Sequence, residues 1–476
     1  MAYHVHRTAR LGAWVLISDG WYKLVCGLVD AHHHTGAPAA LPILDSTIAW
    51  ATRTFDRTRA VADGHDFWGA GPGDTSEWYT LGENLHRAAD LTGNPDHATF
   101  AAVWHYDAFW APFAASPAPG HVRANHAYSH VNSFSSLAAR YARQRDPRDL
   151  AALVNAHDWL LATQTYATGG YGPEERLMPE PGSLGRALQL SISHAEIPCG
   201  SWAALKLCRA LLRFTGHARF ADWMETIVIN AIGAALPPQP DGFVYYYGNY
   251  ALAGGTKQTY WQQWPCCAGT YLQFMAGLHD IIAFHAPDAL HIALYLPSTI
   301  AWDHAGQTIR VTQSGAYPEE DTVTLALEMD RPASFTLTLR KPGWAGEHHV
   351  AVNGQPVSAP LADGWLRLTR AWHPGDTVSL TLPMSLRAVP VDPQHPSRAA
   401  IMFGPTVLAQ DEACCRRPFS LAPETMLESR LVQEATRFRI TNTVPERHTR
   451  YLVPFHTLPA NWPYWVYFNL HEPPLH

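Results

Sequence analysis

The chain of 476 residues has little sulfur, no excess of basic charge and no long apolar run. Its 7 cysteines form an odd and sparse set, which does not read as a disulfide framework. Lys and Arg number 34 against 41 Asp and Glu, a net charge of −7. Nucleic-acid binding needs a basic footprint, and none is present. No stretch is long and apolar enough to span a bilayer, so no membrane partner is expected. The N-terminus lacks the basic-then-apolar layout of a secretory signal, which makes a cytoplasmic location the expectation. The hydrophobic fraction of 47% is ample for a large core, and the length suits two domains.

Aromatic residues are plentiful, with 18 Trp and 19 Tyr. Sugar rings have apolar faces that stack on aromatic side chains, so a Trp-rich, weakly charged chain fits carbohydrate handling. Aromatics also fill large cores, and composition alone does not separate the two readings.

Hydrophobic periodicity divides the chain. Through about residue 285, apolar runs of helical period alternate with turns carrying Gly or Pro. The runs 27–34 and 41–55 flank Thr35-Gly36-Ala37-Pro38, and 78–91 and 100–110 flank Thr92-Gly93-Asn94-Pro95. The runs 127–143 and 150–161 flank Arg145-Asp146-Pro147, and 201–214 and 220–232 flank Thr215-Gly216. Stacked helical hairpins of this kind close into a helical toroid. One more helix is expected near 271–284. From about residue 289 the period becomes two, with Asn353-Gly354 as a hairpin signal, which predicts a β-sandwich. Residues 451–455 and 464–468 are expected as strands or a tail packed back on the body. The expected domains are therefore residues 1–288, an (α/α) helical barrel, and residues 289–476, a β-sandwich with a C-terminal tail.

Cys266 and Cys267 are adjacent, in Trp-Pro-Cys-Cys-Ala-Gly, and adjacent cysteines can hardly bridge each other in an ordinary disulfide. Upstream, Glu196 and Cys199 supply another thiol and a carboxylate. Three thiolates and one carboxylate make a plausible tetrahedral zinc site. Buried apolar thiols are the plain alternative. Glu196 and Cys199 are expected to open a helix, where a lowered thiol pKa is expected, and Pro265 makes an extended or turning backbone before Cys266. Cys26 and Cys208 fall on apolar helical patterns and are expected as inert core thiols. Cys414-Cys415 has no comparable partner and is expected to be structural.

The flanking residues carry a resemblance. The stretches are Ala-Thr-Gly-Gly-Tyr-Gly-Pro-Glu-Glu (167–175), Ala-Glu-Ile-Pro-Cys-Gly-Ser-Trp (195–202), Ala-Asp-Trp-Met-Glu (221–225), Trp-Pro-Cys-Cys (264–267), and Lys-Pro-Gly-Trp-Ala (341–345) followed by Val-Asn-Gly (352–354). In order and spacing they resemble glycoside hydrolase family 127, the β-L-arabinofuranosidase-like proteins, from about residue 77 to 410. The resemblance implies an (α/α) barrel, a retaining glycosidase acting on an L-arabinofuranose-type glycoside, and zinc held by Glu196, Cys199, Cys266 and Cys267. The family more often has one residue between the glutamate and the cysteine, where Ile197 and Pro198 make two here.

By position the resemblance assigns Cys266 as nucleophile and Glu175 as acid/base, with Glu174 in reserve. Attack by a thiolate on an anomeric carbon would give the sulfur analogue of a glycosyl-carboxylate. The resemblance also places His126, Glu225 and Tyr245 or Tyr246 near the sugar, with His130 one helical turn beyond His126. Glu77 stands where familiar members often carry a histidine, which leaves the exact sugar open. Rival readings are a sugar epimerase or isomerase using His126 and His130, and a carbohydrate-binding protein with a purely structural zinc. A homodimer is compatible with the sequence, which does not settle oligomeric state.

Overall fold

The computed structural model of the chain describes residues 15–58, 77–190, 194–235, 245–259, 266–411, 432–434, 437–440, 450–459 and 462–470. Among these, no helix is long and apolar enough to cross a membrane. Contacts divide the chain into two compact units, Met1–Thr165 with Tyr171–Ser183, and Tyr166–Gly170 with Leu184–His476. The change from helix to strand near 283, close to the expected boundary at 288, falls inside the second unit.

The first unit is built of helices α1 (Val15–Thr35), α2 (Ala40–Thr54), α3 (Gly82–Thr92), α4 (Pro95–Val103), α5 (Asp107–Ala115), α6 (Ala127–Gln144) and α7 (Pro147–Thr163). The Asn-Pro and Asp-Pro dipeptides start α4 and α7. Asn94 accepts from the Asp96 N–H and Asp146 from the Arg148 N–H, while Pro occupies the first turn, where no N–H is needed. The apolar stripes of α1 to α3 meet in a core that includes Trp21, Val25, Leu44, Ile48, Leu85 and Trp104. The expected helix over 100–110 is two short ones, α4 and α5, separated at Trp104–Tyr106.

The second unit opens with the short helix α8 (Ser183–Ala187), whose first residue belongs to the first unit. The strands β1 (His194–Glu196), β2 (Tyr245–Asn249) and β3 (Lys257–Thr259) form a sheet in the order β1-β2-β3. Helices α9 (Pro198–Thr215), α10 (Phe220–Thr226) and α11 (Cys266–Gly277) belong with them. Helix α11 ends earlier than the expected 284, passing through a 3-10 turn at Leu278–Ile281 to a strand at Ala283–Ala286.

A six-stranded and a five-stranded sheet follow between residues 283 and 381. Their strands alternate buried and exposed, as in Gln307–Ser314, and their inner faces share one core of Leu290, Ile309, Leu325, Leu337, Val350, Leu366 and Leu380. This is the expected β-sandwich. Asn353 and Gly354, with φ of 51° and 75°, form the tight turn between Val352 and Gln355. From Leu386 onward the chain builds a further eight-stranded sheet, which takes in Arg450–Pro454 and Tyr464–Trp465, segments expected as strands or a tail.

Candidate active site and metal centre

The Gly-rich stretch folds back so that its two ends, Thr165 and Tyr171, meet in the first unit. Thr165 bridges to Tyr171, and the Gly172 N–H donates to the Gln164 carbonyl at 3.0 Å. Gly172 has φ of 73°, and a Cβ there would lie 2.4 Å from the Ala127 Cβ, so only glycine lets the turn lie against the start of α6. Glu174 and Glu175 follow with φ of 54° and 63°, a left-handed conformation that disfavours side chains other than Asn and Asp. Consecutive strained carboxylates are the kind of outlier that persists at functional sites.

Glu175 is buried, 3% exposed, with its carboxylate 3.8 Å from His126 Nε2. The other nitrogen of His126 lies 3.1 Å from Glu77 Oε1 and 3.0 Å from Ser129 Oγ. Glu77 also has positive φ, 47°. His126, Glu77 and Glu175 are thus one cluster, with the imidazole between two carboxylates. Glu174 is half-buried. His130 differs from expectation: it is fully buried among Tyr79, Tyr106 and Phe109, with Nδ1 2.9 Å from the His126 carbonyl. The turn of helix that aligns it with His126 also carries it into the aromatic core, so it supports His126 instead of facing a ligand.

In the second unit, Glu196, expected at a helix start, instead ends β1, where it pairs with Tyr247, while Cys199 lies in the first turn of α9 and Cys266 and Cys267 open α11. Pro265 lies outside the described residues, as do Cys414 and Cys415. One donor atom from each of Glu196, Cys199, Cys266 and Cys267 falls within 4.8 Å of the others. The Cys199 and Cys267 sulfurs are 3.6 Å apart, and Cys267 Sγ is 3.5 Å from Glu196 Oε1. Tetrahedral zinc bonds of about 2.3 Å to sulfur and ~2.0 Å to oxygen would set these separations at roughly 3.8 and ~3.5 Å. The residues fit the ion. The longer Glu-Ile-Pro-Cys spacing is absorbed because Glu196 finishes a strand before Pro198 starts the helix.

The expected lowering of the Cys199 thiol pKa is reversed. Hydrogen bonds with Cys266 and Cys267, then burial, push it well up, and burial does the same to Cys267. The donor set is therefore one that only a cation would hold as thiolates. Glu196, Cys199 and Cys267 are buried, whereas Cys266 is half-buried. Cys26 and Cys208 are buried in helices as expected, and burial drives the Cys208 thiol pKa up.

The remaining candidates divide. Tyr245 and Tyr246 lie on β2, whose Tyr247 pairs with Glu196. Glu225, expected to meet sugar, instead has its carboxylate taken by the protein. It pairs with Arg340, accepts from Tyr317 at 2.6 Å and accepts from the Trp344 indole at 3.0 Å. Arg340 went unassigned in the sequence because it sits one residue before the Lys-Pro-Gly-Trp motif. Nothing local to the sequence marks it, because its partners Asp222 and Glu225 lie more than a hundred residues away.

Comparison with known proteins bears on all of this. The model for the β-L-arabinofuranosidase GH127 catalytic domain matches residues 8–280, more than half of the chain. The chain belongs to the GH127 family. The GH127 middle domain matches residues 289–384, the β-sandwich. A non-reducing end β-L-arabinofuranosidase of Bifidobacterium longum is 24% identical over 249 residues, 45% of this chain and 35% of that protein. The chain thus matches about a third of that GH127 relative's length. A GH127 β-L-arabinofuranosidase from Geobacillus stearothermophilus T6 has a similar structure, with a TM-score of 0.72 at 19% identity over 95% of this chain and 80% of that one. Another GH127 β-arabinofuranosidase gives 0.73 at 18%, covering 95% and 76%. The fold class is that of GH127, an (α/α) helical barrel followed by a β-sandwich.

Proposed function

We propose that this GH127 chain is a retaining glycoside hydrolase acting on a β-L-arabinofuranoside or a closely related glycoside, with Cys266 as nucleophile and Glu175 as acid/base. The observation that carries the reading is the convergence of Glu196, Cys199, Cys266 and Cys267 on one point in a chain whose family is one of β-L-arabinofuranosidases. Zinc held by these four residues would supply a sulfur that stays deprotonated at neutral pH. Cys266 is the nucleophile of choice because it alone of the three thiols is half-buried, while Cys199 and Cys267 are enclosed. Its sulfur would bond to the anomeric carbon as the glycosidic C–O bond breaks, and water would then cleave the thioglycoside with retention.

Glu175 would give its proton to the departing oxygen and recover one from the attacking water. His126, hydrogen-bonded on its other nitrogen, would fix the direction of that carboxyl. A panel of nitrophenyl glycosides that includes β-L-arabinofuranoside tests the reading. Turnover confined to that glycoside or its near analogues supports it, and no turnover of any glycoside by zinc-loaded protein sinks it.

A further inference from the structure

Two sequence motifs without a catalytic assignment prove to be halves of one buried interlock in the second unit. Arg340, wholly buried, donates to Asp222 Oδ1 at 2.6 Å and to the Ala293 carbonyl at 2.6 Å, and pairs with Glu225 Oε1. Just beyond it, the Gly343 N–H donates to Asp222 Oδ2 at 3.2 Å and the Trp344 indole donates to Glu225 Oε2 at 3.0 Å. Both carboxylates of α10 are thereby fixed by one strand end of the β-sandwich. Between them in sequence, Trp223 points the other way, and its indole N–H donates to the Gly169 carbonyl at 3.0 Å.

Gly169 belongs to the tip of the Gly-rich turn, which is clamped throughout. Thr168 Oγ1 donates to the Tyr250 hydroxyl at 2.7 Å, and the Tyr467 hydroxyl accepts from the Ala167 N–H at 2.8 Å. A Cβ at Gly169 would lie 3.1 Å from the Ile227 backbone nitrogen, and its φ is 90°, so the tip is pressed against the helix that follows Glu225. From this tip the chain reaches Glu175 in a few residues.

We propose that Arg340 is a positioning residue: by locking Asp222 and Glu225 it sets Trp223, and Trp223 sets the Gly169 turn, which the chain leaves to reach the acid/base Glu175. Its effect on catalysis rests on the function proposed above; its effect on the turn does not. Rigid support of this kind matters because small displacements of a proton donor cost rate out of proportion to binding. Glu225 is accordingly a brace in this chain, with its oxygens already spent on Arg340, Tyr317 and Trp344.

The test compares Trp223→Phe and Arg340→Gln with Trp365→Phe, which loses a like indole bond, to the Gly216 carbonyl, away from the turn. Hydrogen–deuterium exchange of the zinc-loaded full chain is read over residues 167–170. Trp223→Phe keeps the ring volume and serves if Arg340→Gln does not fold. Exchange at the turn is expected to quicken about fivefold or more in Trp223→Phe, matching one lost hydrogen bond, and to stay unchanged in Trp365→Phe. The alkaline limb of the kcat profile should shift, and kcat should fall more than KM rises, in Trp223→Phe and Arg340→Gln but not in Trp365→Phe. Unchanged exchange in Trp223→Phe, or equal effects in both Trp variants, overturns the proposal. If the turn loosens but the parent protein hydrolyses no glycoside, the brace stands and the glycosidase reading falls.

Discussion

The sulfurs of Cys199 and Cys267 stand 3.6 Å apart although the residues are 68 apart in sequence. Each sits in the first turn of a helix, α9 and α11. Two positive helix ends facing one cluster of thiols favour anions there, and burial disfavours them unless a cation is bound.

A test of zinc binding follows from that balance. Purified protein never exposed to chelator should carry one zinc per chain by elemental analysis. Cys199→Ser should weaken binding on the order of 100-fold or more, because a hydroxyl replaces a thiolate in the shell. Full zinc content and unchanged affinity in that variant would show that Cys199 is not a ligand.

The acid/base assignment predicts dependence on the leaving group. Glu175→Gln should lose several powers of ten with poor leaving groups and much less with activated nitrophenyl substrates, in which the first step needs little proton transfer. Glu174→Gln, a change at a half-buried site, should be mild. The reverse order would make Glu174 the acid.

The nucleophile can be caught covalently. A cyclophellitol-like or haloacetamide analogue of the furanose should leave one adduct, on Cys266, seen by peptide mass mapping and absent from Cys266→Ser. An adduct on Cys267 would reverse the assignment, and full activity in Cys266→Ser would make the zinc structural.

A further pair of residues sets an acid limit on the helical unit. His86 and His105 face each other with Nε2 atoms 3.1 Å apart, both buried. Burial is the main cause that lowers each pKa from 6.5 to about 4, with Arg140 adding to both, the partner imidazole and Arg143 to His86, and Arg57 to His105, against Asp107 and Asp149. Between these values the unfolded chain binds more protons than the folded one, so stability should fall as pH drops from 6.5 towards 4, by on the order of a few kcal/mol. Urea midpoints across that range measure it. His86→Gln should flatten the slope; an unchanged slope would place the acid sensitivity elsewhere.

Much of this was written locally. The alternation of period 3.6 and period 2 follows from which face of each element is apolar, so the helical part, the β-sandwich and the Asn353-Gly354 turn could be read directly. The Asn-Pro and Asp-Pro helix starts are equally local, since a cap needs only its own next residues. The Cys-Cys pair was legible because adjacent thiols have few other uses.

Burial and long-range pairing were not local, and tertiary structure decided them. His126 and His130 share a helix face, yet one lies between Glu77 and Glu175 while the other is enclosed by aromatics. Glu225 carries a family motif, but the partner that claims it, Arg340, is 115 residues away. A helical period states which residues point the same way; it does not state what they meet. The meeting of Arg340 with Asp222 and Glu225, like that of Cys199 with Cys267, depends on the packing of elements distant in sequence, because charge pairing and metal geometry act through space and leave no period in the chain.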